Sequence, residues 1–284
     1  MTPRRAGLLL FAAAATWGVS FVVVKDALSA SSPLLFVSVR FALAAAVLAP
    51  FAGLGVRFTR SELAAGLLLT VLLATGFAAH AVGLQYTTPA RSGFIVGLSS
   101  ILAPVVAFLV LRQRPGWVVS AALVLAGFGL YFLTAPDGGG LNRGDLWTLI
   151  TAVVFGGHIV AVTELSRRHD ARRLVWLQVA GTAIGVAITA ALLEPMRFDA
   201  TLPLIGALIF TGVVATAAAL VWQMRAQRHM SSSRAALILC FEPVFAALTS
   251  WLWVQERFSG EQWVGAGLIL VGMVLTARAE PRAL

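Results

Sequence analysis

The chain has 284 residues, of which 59% are hydrophobic and 12% charged, with a mean hydropathy of +0.90. A soluble domain carries roughly 45–50% apolar and about 25% charged residues; the excess here runs along the whole chain, which excludes a water-soluble globule and indicates a polytopic membrane protein. The formal charge of +9 suits a nucleic-acid binder, but the basic residues sit in short gaps between apolar runs and form no basic face, so no nucleic-acid partner is expected.

Arg4 and Arg5 precede an apolar run that continues to Val24. That run is too long for the core of a cleaved signal peptide and reads as a first span. A span needs about 20 mostly apolar residues. Candidates follow at 6–25, 33–53, 62–83, 90–111, 117–134, 144–164, 174–193, 203–223, 234–254 and 260–278. None alternates like a barrel strand. The fold expected is an all-α membrane protein of ten transmembrane helices.

Basic residues test the count. With the N-terminus in the cytoplasm, 15 of the 21 fall in cytoplasmic segments. Lys25, Arg91, Arg143, Arg197 and Arg257 fall outside, and Arg40 lies within a span. The positive-inside rule then places both termini in the cytoplasm. A cell (inner) membrane is the expected location. Cys240, the single cysteine, excludes an intrachain disulfide and reads as a buried thiol.

Shifted by 138 residues, the chain sets Trp17-Gly18 on Phe155-Gly156, Ser20 on His158 and Arg40 on Gln178. Farther on the offset becomes 143, where Arg91 meets Arg234. These matches divide the chain into 1–138 and 139–284, joined at Asp137-Gly138-Gly139-Gly140. Five spans in each half make the repeats antiparallel. Inverted repeats of this kind are a device of secondary transporters, with the site near the midplane.

The stretches Trp17-Gly18-Val19-Ser20-Phe21, Arg40-Phe41, Gly144-Asp145-Leu146, Ser233-Arg234-Ala235-Ala236-Leu237 and Glu242-Pro243-Val244-Phe245 resemble the drug/metabolite transporter superfamily, EamA type. Gln255-Glu256-Arg257-Phe258, Gly265 and Gly272 extend the resemblance over both halves. It implies a ten-helix basket around a central cavity lined by the first, third, fourth, sixth, eighth and ninth helices, with the fifth and tenth peripheral. The spacing from Ser92-Gly93-Phe94 to Pro104 resembles the amino-acid exporter branch. The halves differ in their prolines: Pro243 falls on Ser100, about one turn before Pro104.

Polar groups in hydrocarbon are costly, so each is a candidate for the path. Glu242 lies roughly 12 Å into its helix and Arg40 roughly 10 Å from the boundary, at 1.5 Å per residue. Glu242 is either a proton- or amine-binding carboxylate or a group holding freed backbone near Pro243. Arg40 either attracts a substrate carboxylate or pairs structurally. Lys25 reads as a solvated interface residue. Trp17 and Ser20 share a stripe with Ala13 and Val24, and Phe155 and His158 occupy the matching stripe of the sixth span. His80 and His158 are intramembrane imidazoles, able to titrate or simply hydrogen-bonded to neighbouring helices. Gln178 is the counterpart of Arg40. Gly93, Gly97, Ser100 and Pro104 line one side of the fourth span, as packing or as a flexible point. Trp222 and Gln223 end a comparable stripe on the eighth. Trp117, Trp147, Trp176, Trp253 and Trp263 read as interface anchors, and Gly265, Gly267 and Gly272 as close-packing positions.

No Walker, HExxH or GxSxG motif occurs, so neither ATP-driven transport by this chain alone nor intramembrane catalysis is expected. No cofactor or metal is expected. Nor is there a filter-like run or ring of charge for a channel. The expected activity is export of small amphipathic metabolites, foremost amino acids, by a monomer or weak homodimer. Proton antiport and facilitated exchange both fit.

Overall fold

The structure is a computed structural model that describes residues 1–53, 55, 57–112, 116–134, 140–230, 235 and 238–278. Most of the glycine-rich linker and the Ser233-Arg234 motif lie outside the described residues. Among those described there are ten helices and one isolated β-bridge, Ser31–Phe198. We number the helices α1 (Pro3–Ala27), α2 (Pro33–Leu48), α3 (Arg60–Leu84), α4 (Pro89–Gly97 and Ser99–Leu111), α5 (Trp117–Thr134), α6 (Arg143–Arg168), α7 (Ala171–Leu193), α8 (Leu202–Gln227), α9 (Phe241–Val254) and α10 (Gly260–Arg278). Eight are long and apolar enough to cross a membrane; Phe241–Val254 and the apolar part of α10, Gly260–Leu275, are shorter.

Helix starts follow local chemistry. Thr59 and Glu62 cap α3 reciprocally, and Asn142 and Asp145 do the same for α6. Pro3, Pro33, Pro89 and Pro203 occupy first-turn positions, where no amide donor is missed. The leucine- and alanine-rich interiors supply helix propensity and an apolar surface on every side. Exposed Leu67, Val71, Ile184 and Leu192 therefore face the surroundings.

Three interruptions depart from a simple ten-helix reading. α4 breaks at Leu98, six residues before Pro104, the position expected to bend. Leu98 donates to Ile95 O and accepts from Ile101 N, so tight turns carry the chain through. α9 begins after a turn at Cys240, whose φ of −57° and ψ of −17° nearly match the −56° and −20° of Leu98. α8 widens into π-helix over Phe210–Ala218. Both α4 and α9 end on a left-handed non-glycine residue, Arg112 at φ 57° and Gln255 at φ 55°, two positions 143 residues apart.

The main helix pairings are α5–α10, α3–α6, α2–α7, α3–α7, α1–α9, α4–α6, α1–α8, α4–α9 and α2–α8. Exchanging each helix for the one five places away leaves this set unchanged. The α5–α10 pair packs on glycine: a Cβ on Gly265 would stand 2.5 Å from Leu133 N and 2.6 Å from Gly129 O. A Cβ on Gly272 would stand 3.0 Å from Ala122 O. Gly267, expected in the same contact, is exposed with nothing within 4 Å of its missing Cβ. Gly265→Val is expected to destabilise the purified protein by about 1–3 kcal/mol through overpacking. Gly267→Ala leaves the thermal midpoint in detergent unchanged.

Candidate functional site

A large hollow, about 1430 Å³, is a groove on the side of the bundle. Its walls are mainly Leu, Ala, Gly and Val from α3 and α7. Its exposed leucines suit acyl chains, and it holds none of the intramembrane charges. The polar groups converge elsewhere, on a central cavity of about 60 Å³, the share of liquid of roughly two waters. Trp17, Ser20 and Phe21 of α1, Arg40 of α2 and Leu73, Phe77 and His80 of α3 line it. Val96 and Ser99 of α4 continue the wall, which Phe155, His158 and Ile159 of α6, Leu220 and Gln223 of α8, and Leu239 and Glu242 at the start of α9 complete.

Fourteen of these sixteen residues form seven pairs separated by 138 or 143 positions, and each pair sets apolar on apolar or polar on polar. Trp17 matches Phe155, Phe21 matches Ile159, Phe77 matches Leu220 and Val96 matches Leu239. The polar pairs are Ser20 with His158, His80 with Gln223 and Ser99 with Glu242. The unpaired residues are Leu73 and Arg40, whose counterparts Thr216 and Gln178 hydrogen-bond residues of the lining. Charge alone breaks the match, at Arg40 and Glu242.

Arg40 is buried on α2, with its guanidinium over the Phe77 ring at 4.8 Å from the centroid. Its Nε donates to Thr216 Oγ1 at 2.7 Å, while Nη2 has no partner. The π-helical turn of α8 supplies that hydroxyl and also presents the Ala215 carbonyl, which accepts from Trp17 Nε1 at 2.8 Å. Ser20 spends its hydroxyl on Trp17 O at 2.7 Å. His80 lies edge-on to Phe21, with ring centroids 4.7 Å apart and Nε2 unpartnered. His158 Nε2 lies 2.8 Å from Gln178 Oε1, and Gln178 Nε2 makes no bond. Two orphaned polar atoms thus belong to lining residues and a third to Gln178 behind them, an expensive arrangement for a closed apolar core.

The structure therefore gathers Trp17, Ser20, Arg40, His80, Phe155, His158, Gln223 and Glu242 around the cavity. Gln178 stands one hydrogen bond behind. Gly93 and Gly97 face away from it: added Cβ atoms would meet Ala246 at 2.5 Å and Met273 Cε at 3.1 Å. Ser100 is buried outside the lining, which takes its neighbour Ser99, and Trp222 also lies outside. Sequence reasoning passed over Ser99, Phe77 and Leu73. Leu73, Phe77 and His80 share the four-and-three spacing of one helical face, the signal that identified the α1 stripe.

At the face where α1 and α3 end, buried polar ties close the bundle. Arg91 forms an ion pair with Asp145, which also accepts from Thr87 Oγ1 at 2.9 Å and caps α6. Arg91 is buried, whereas a position in an external loop was expected. Glu256 accepts from Ala90 N at 3.1 Å and from the hydroxyls of Thr88 and Ser250. Lys25, expected to be solvated, instead caps α3 by donating to Leu84, Gln85 and Thr87 carbonyls at 2.7–3.1 Å. Glu194 of the α7–α8 loop accepts from the first amides of α2, at 2.8 Å from Leu35 N.

Eight helices long and apolar enough to cross a membrane, packed around a central cavity with polar groups in its lining, define the class as a multi-pass membrane protein. The profile of the EamA-like transporter family matches residues 4–135 and 142–278, and the chain belongs to that family. It is 32% identical over 272 residues to an uncharacterized transporter of Archaeoglobus fulgidus, covering 96% of this chain and 85% of the relative. A chloroplastic WAT1-related protein of Arabidopsis thaliana is 25% identical, and the match spans 91% of this chain and 66% of that protein. A crystal structure 21% identical to this chain superimposes with a TM-score of 0.72, covering 98% of this chain and 97% of the other, which establishes a shared fold.

Asp145→Asn is expected to cost about 3–5 kcal/mol, because it leaves the Arg91 charge buried without its counterion. Thermal unfolding in detergent measures the loss.

Proposed function

We propose that this family member is a secondary transporter that exports small amphipathic metabolites, foremost amino acids, by alternating access. The observation that carries the reading is the cavity's chemically matched lining, broken only by a cation and an acid. A zwitterion between an aromatic wall and two opposite charges satisfies both poles: Arg40 Nη2 receives the carboxylate and Glu242 the ammonium. Trp17, Phe155 and Phe77 take the apolar side chain.

The matched positions support two inverted five-helix repeats, residues 1–138 and 139–284, as does the closure of the helix pairings under exchange. Rocking one repeat against the other exposes a midplane site to each side in turn. The basic-residue count supports ten spans, cytoplasmic termini and a cell-membrane location, with the Arg91–Asp145 face outside. A cavity of about 60 Å³ has room for roughly two waters and not for an aromatic amino acid, so loading requires the helices to part. The breaks at Leu98 and Cys240 adjoin lining residues and give each half a joint there.

Purified protein in liposomes is expected to show saturable uptake of labelled neutral and aromatic amino acids. Absence of flux across a broad metabolite panel, with folded protein, overturns the reading. Arg40→Gln and Glu242→Gln are each expected to lower kcat/KM by about ten- to a hundredfold, the worth of one charge-assisted hydrogen bond. If Glu242 carries the coupled proton, Glu242→Gln also abolishes dependence on a pH gradient. Dependence that persists assigns it to cargo binding alone. In a Cys240→Ala background, cysteine at Trp17, His80 or His158 is expected to react with water-soluble thiol reagents and to be protected by substrate. Inertness at all three positions contradicts a solvated path.

A further inference from the structure

At the face opposite the Arg91–Asp145 tie, two hollows meet. One, of about 990 Å³, is strongly basic. The segment before α3 brings Arg57 to it, the α6–α7 turn brings four arginines at 167, 168, 172 and 173, and the end of α8 brings Arg225 and Arg228. Against these seven stand only Glu62 and Asp170 in the lining. Asp170 is committed locally: it caps α7 and accepts from Arg172 at 3.1 Å, and those bonds hold its carboxyl below the usual carboxylate range. Arg173 pairs with Glu62 at 3.3 Å, and Arg168 with Glu164 at 3.8 Å. Among the described residues, the side chains of Arg57, Arg225 and Arg228 form no ion pair.

The second hollow, of about 450 Å³, adjoins the first and shares Ala171, Arg172 and Arg225 with it. Its remaining wall is apolar: Leu48 at the end of α2 and Phe51 beyond it, Val175 of α7, and Val221 and Met224 of α8. Phe51 is 68% exposed on this rim. An excess of guanidinium opening onto an apolar cleft at a helix-end level matches one ligand chemistry, a phosphate ester with a hydrocarbon tail. Positive-inside topology accounts for arginines on this face, but it does not account for a concave cluster continuous with an apolar slot. A free phosphate leaves that slot unused, and an uncharged lipid leaves the arginines unused.

We infer that this junction is a binding site for an anionic phospholipid of the cytoplasmic leaflet, with its phosphate on Arg225 and Arg172 and an acyl chain in the cleft between α2, α7 and α8. The site is separate from the central cavity; its leaflet rests on the proposed topology, and the site itself stands or falls by lipid binding and not by flux.

The test uses the full-length protein in a neutral detergent, with added phosphatidylglycerol, phosphatidylcholine or inorganic phosphate, read by thermal unfolding and by lipid retention in native mass spectrometry. Phosphatidylglycerol is expected to raise the thermal midpoint by several degrees and to be retained at least tenfold over phosphatidylcholine. R172Q/R225Q is expected to lose that preference, and Phe51→Ser, at an exposed position, to weaken phosphatidylglycerol retention while sparing the fold. Arg257→Gln, beyond the far end of α9, leaves both unchanged. Equal retention of the two lipids overturns the proposal, as does an R172Q/R225Q protein that behaves like the parent. A thermal shift reproduced in full by inorganic phosphate also overturns it, because the site is then one for small anions.

Discussion

A polar group in hydrocarbon has no water to turn to, and this constraint orders the rest of the structure. Where helices end, the fold meets it with side chains from other elements: Lys25 on the last carbonyls of α3, Glu194 on the first amides of α2, and Glu256 on α4. Asp145 serves its own helix and Arg91 together. Each tie crosses between separate segments, so satisfying the backbone also fixes how the helices stand against each other. Around the central cavity, as at the buried side chains of Ser92, Thr182 and Gln227, the rule is relaxed. Arg40 Nη2, His80 Nε2 and Gln178 Nε2 are left without partners. The fold finds a partner for Lys25 some sixty residues away in the chain (Leu84 O) and none for Arg40 Nη2, and under the proposed function that atom is kept for the cargo.

Much of this was legible in the sequence. The apolar runs located ten helices because length and hydropathy depend on composition and not on tertiary detail. The 138- and 143-residue offsets paired Trp17 with Phe155 and Ser20 with His158, and both pairs line the cavity. What escaped depends on rotation and register. Ser99 and not Ser100 faces inward because α4 turns at Leu98, and nothing in a run of small and apolar residues announces that turn. Lys25 looked solvated because the carbonyls it caps lie some sixty positions away in the chain. Gly93 and Gly97 read as packing or as a flexible point; they are places where α9 and α10 approach closely, and which helices do so is a fact held in the partners.

The two ends of the bundle differ in kind. One is sealed by the buried Arg91–Asp145 pair and by the reciprocal cap of α6; the other is lined by guanidinium groups in open hollows. Under the proposed topology the sealed end faces outward, and opening it requires the Arg91–Asp145 contact to separate or to move as a unit. Because both partners belong to the starts of helices in different halves, α4 and α6, relative motion of the halves acts directly on this tie.

The mismatch between Arg40 and Gln178, and between Glu242 and Ser99, has a directional consequence. If the two halves trade shapes, the aromatic and aliphatic walls trade places with near-equivalents, but the two charges stay on the helices that carry them. A dipolar guest held between them keeps its heading in the protein frame while the doorway moves from one side to the other. Under the proposed alternating access, such a guest crosses without tumbling, and the protein distinguishes its two ends throughout the passage.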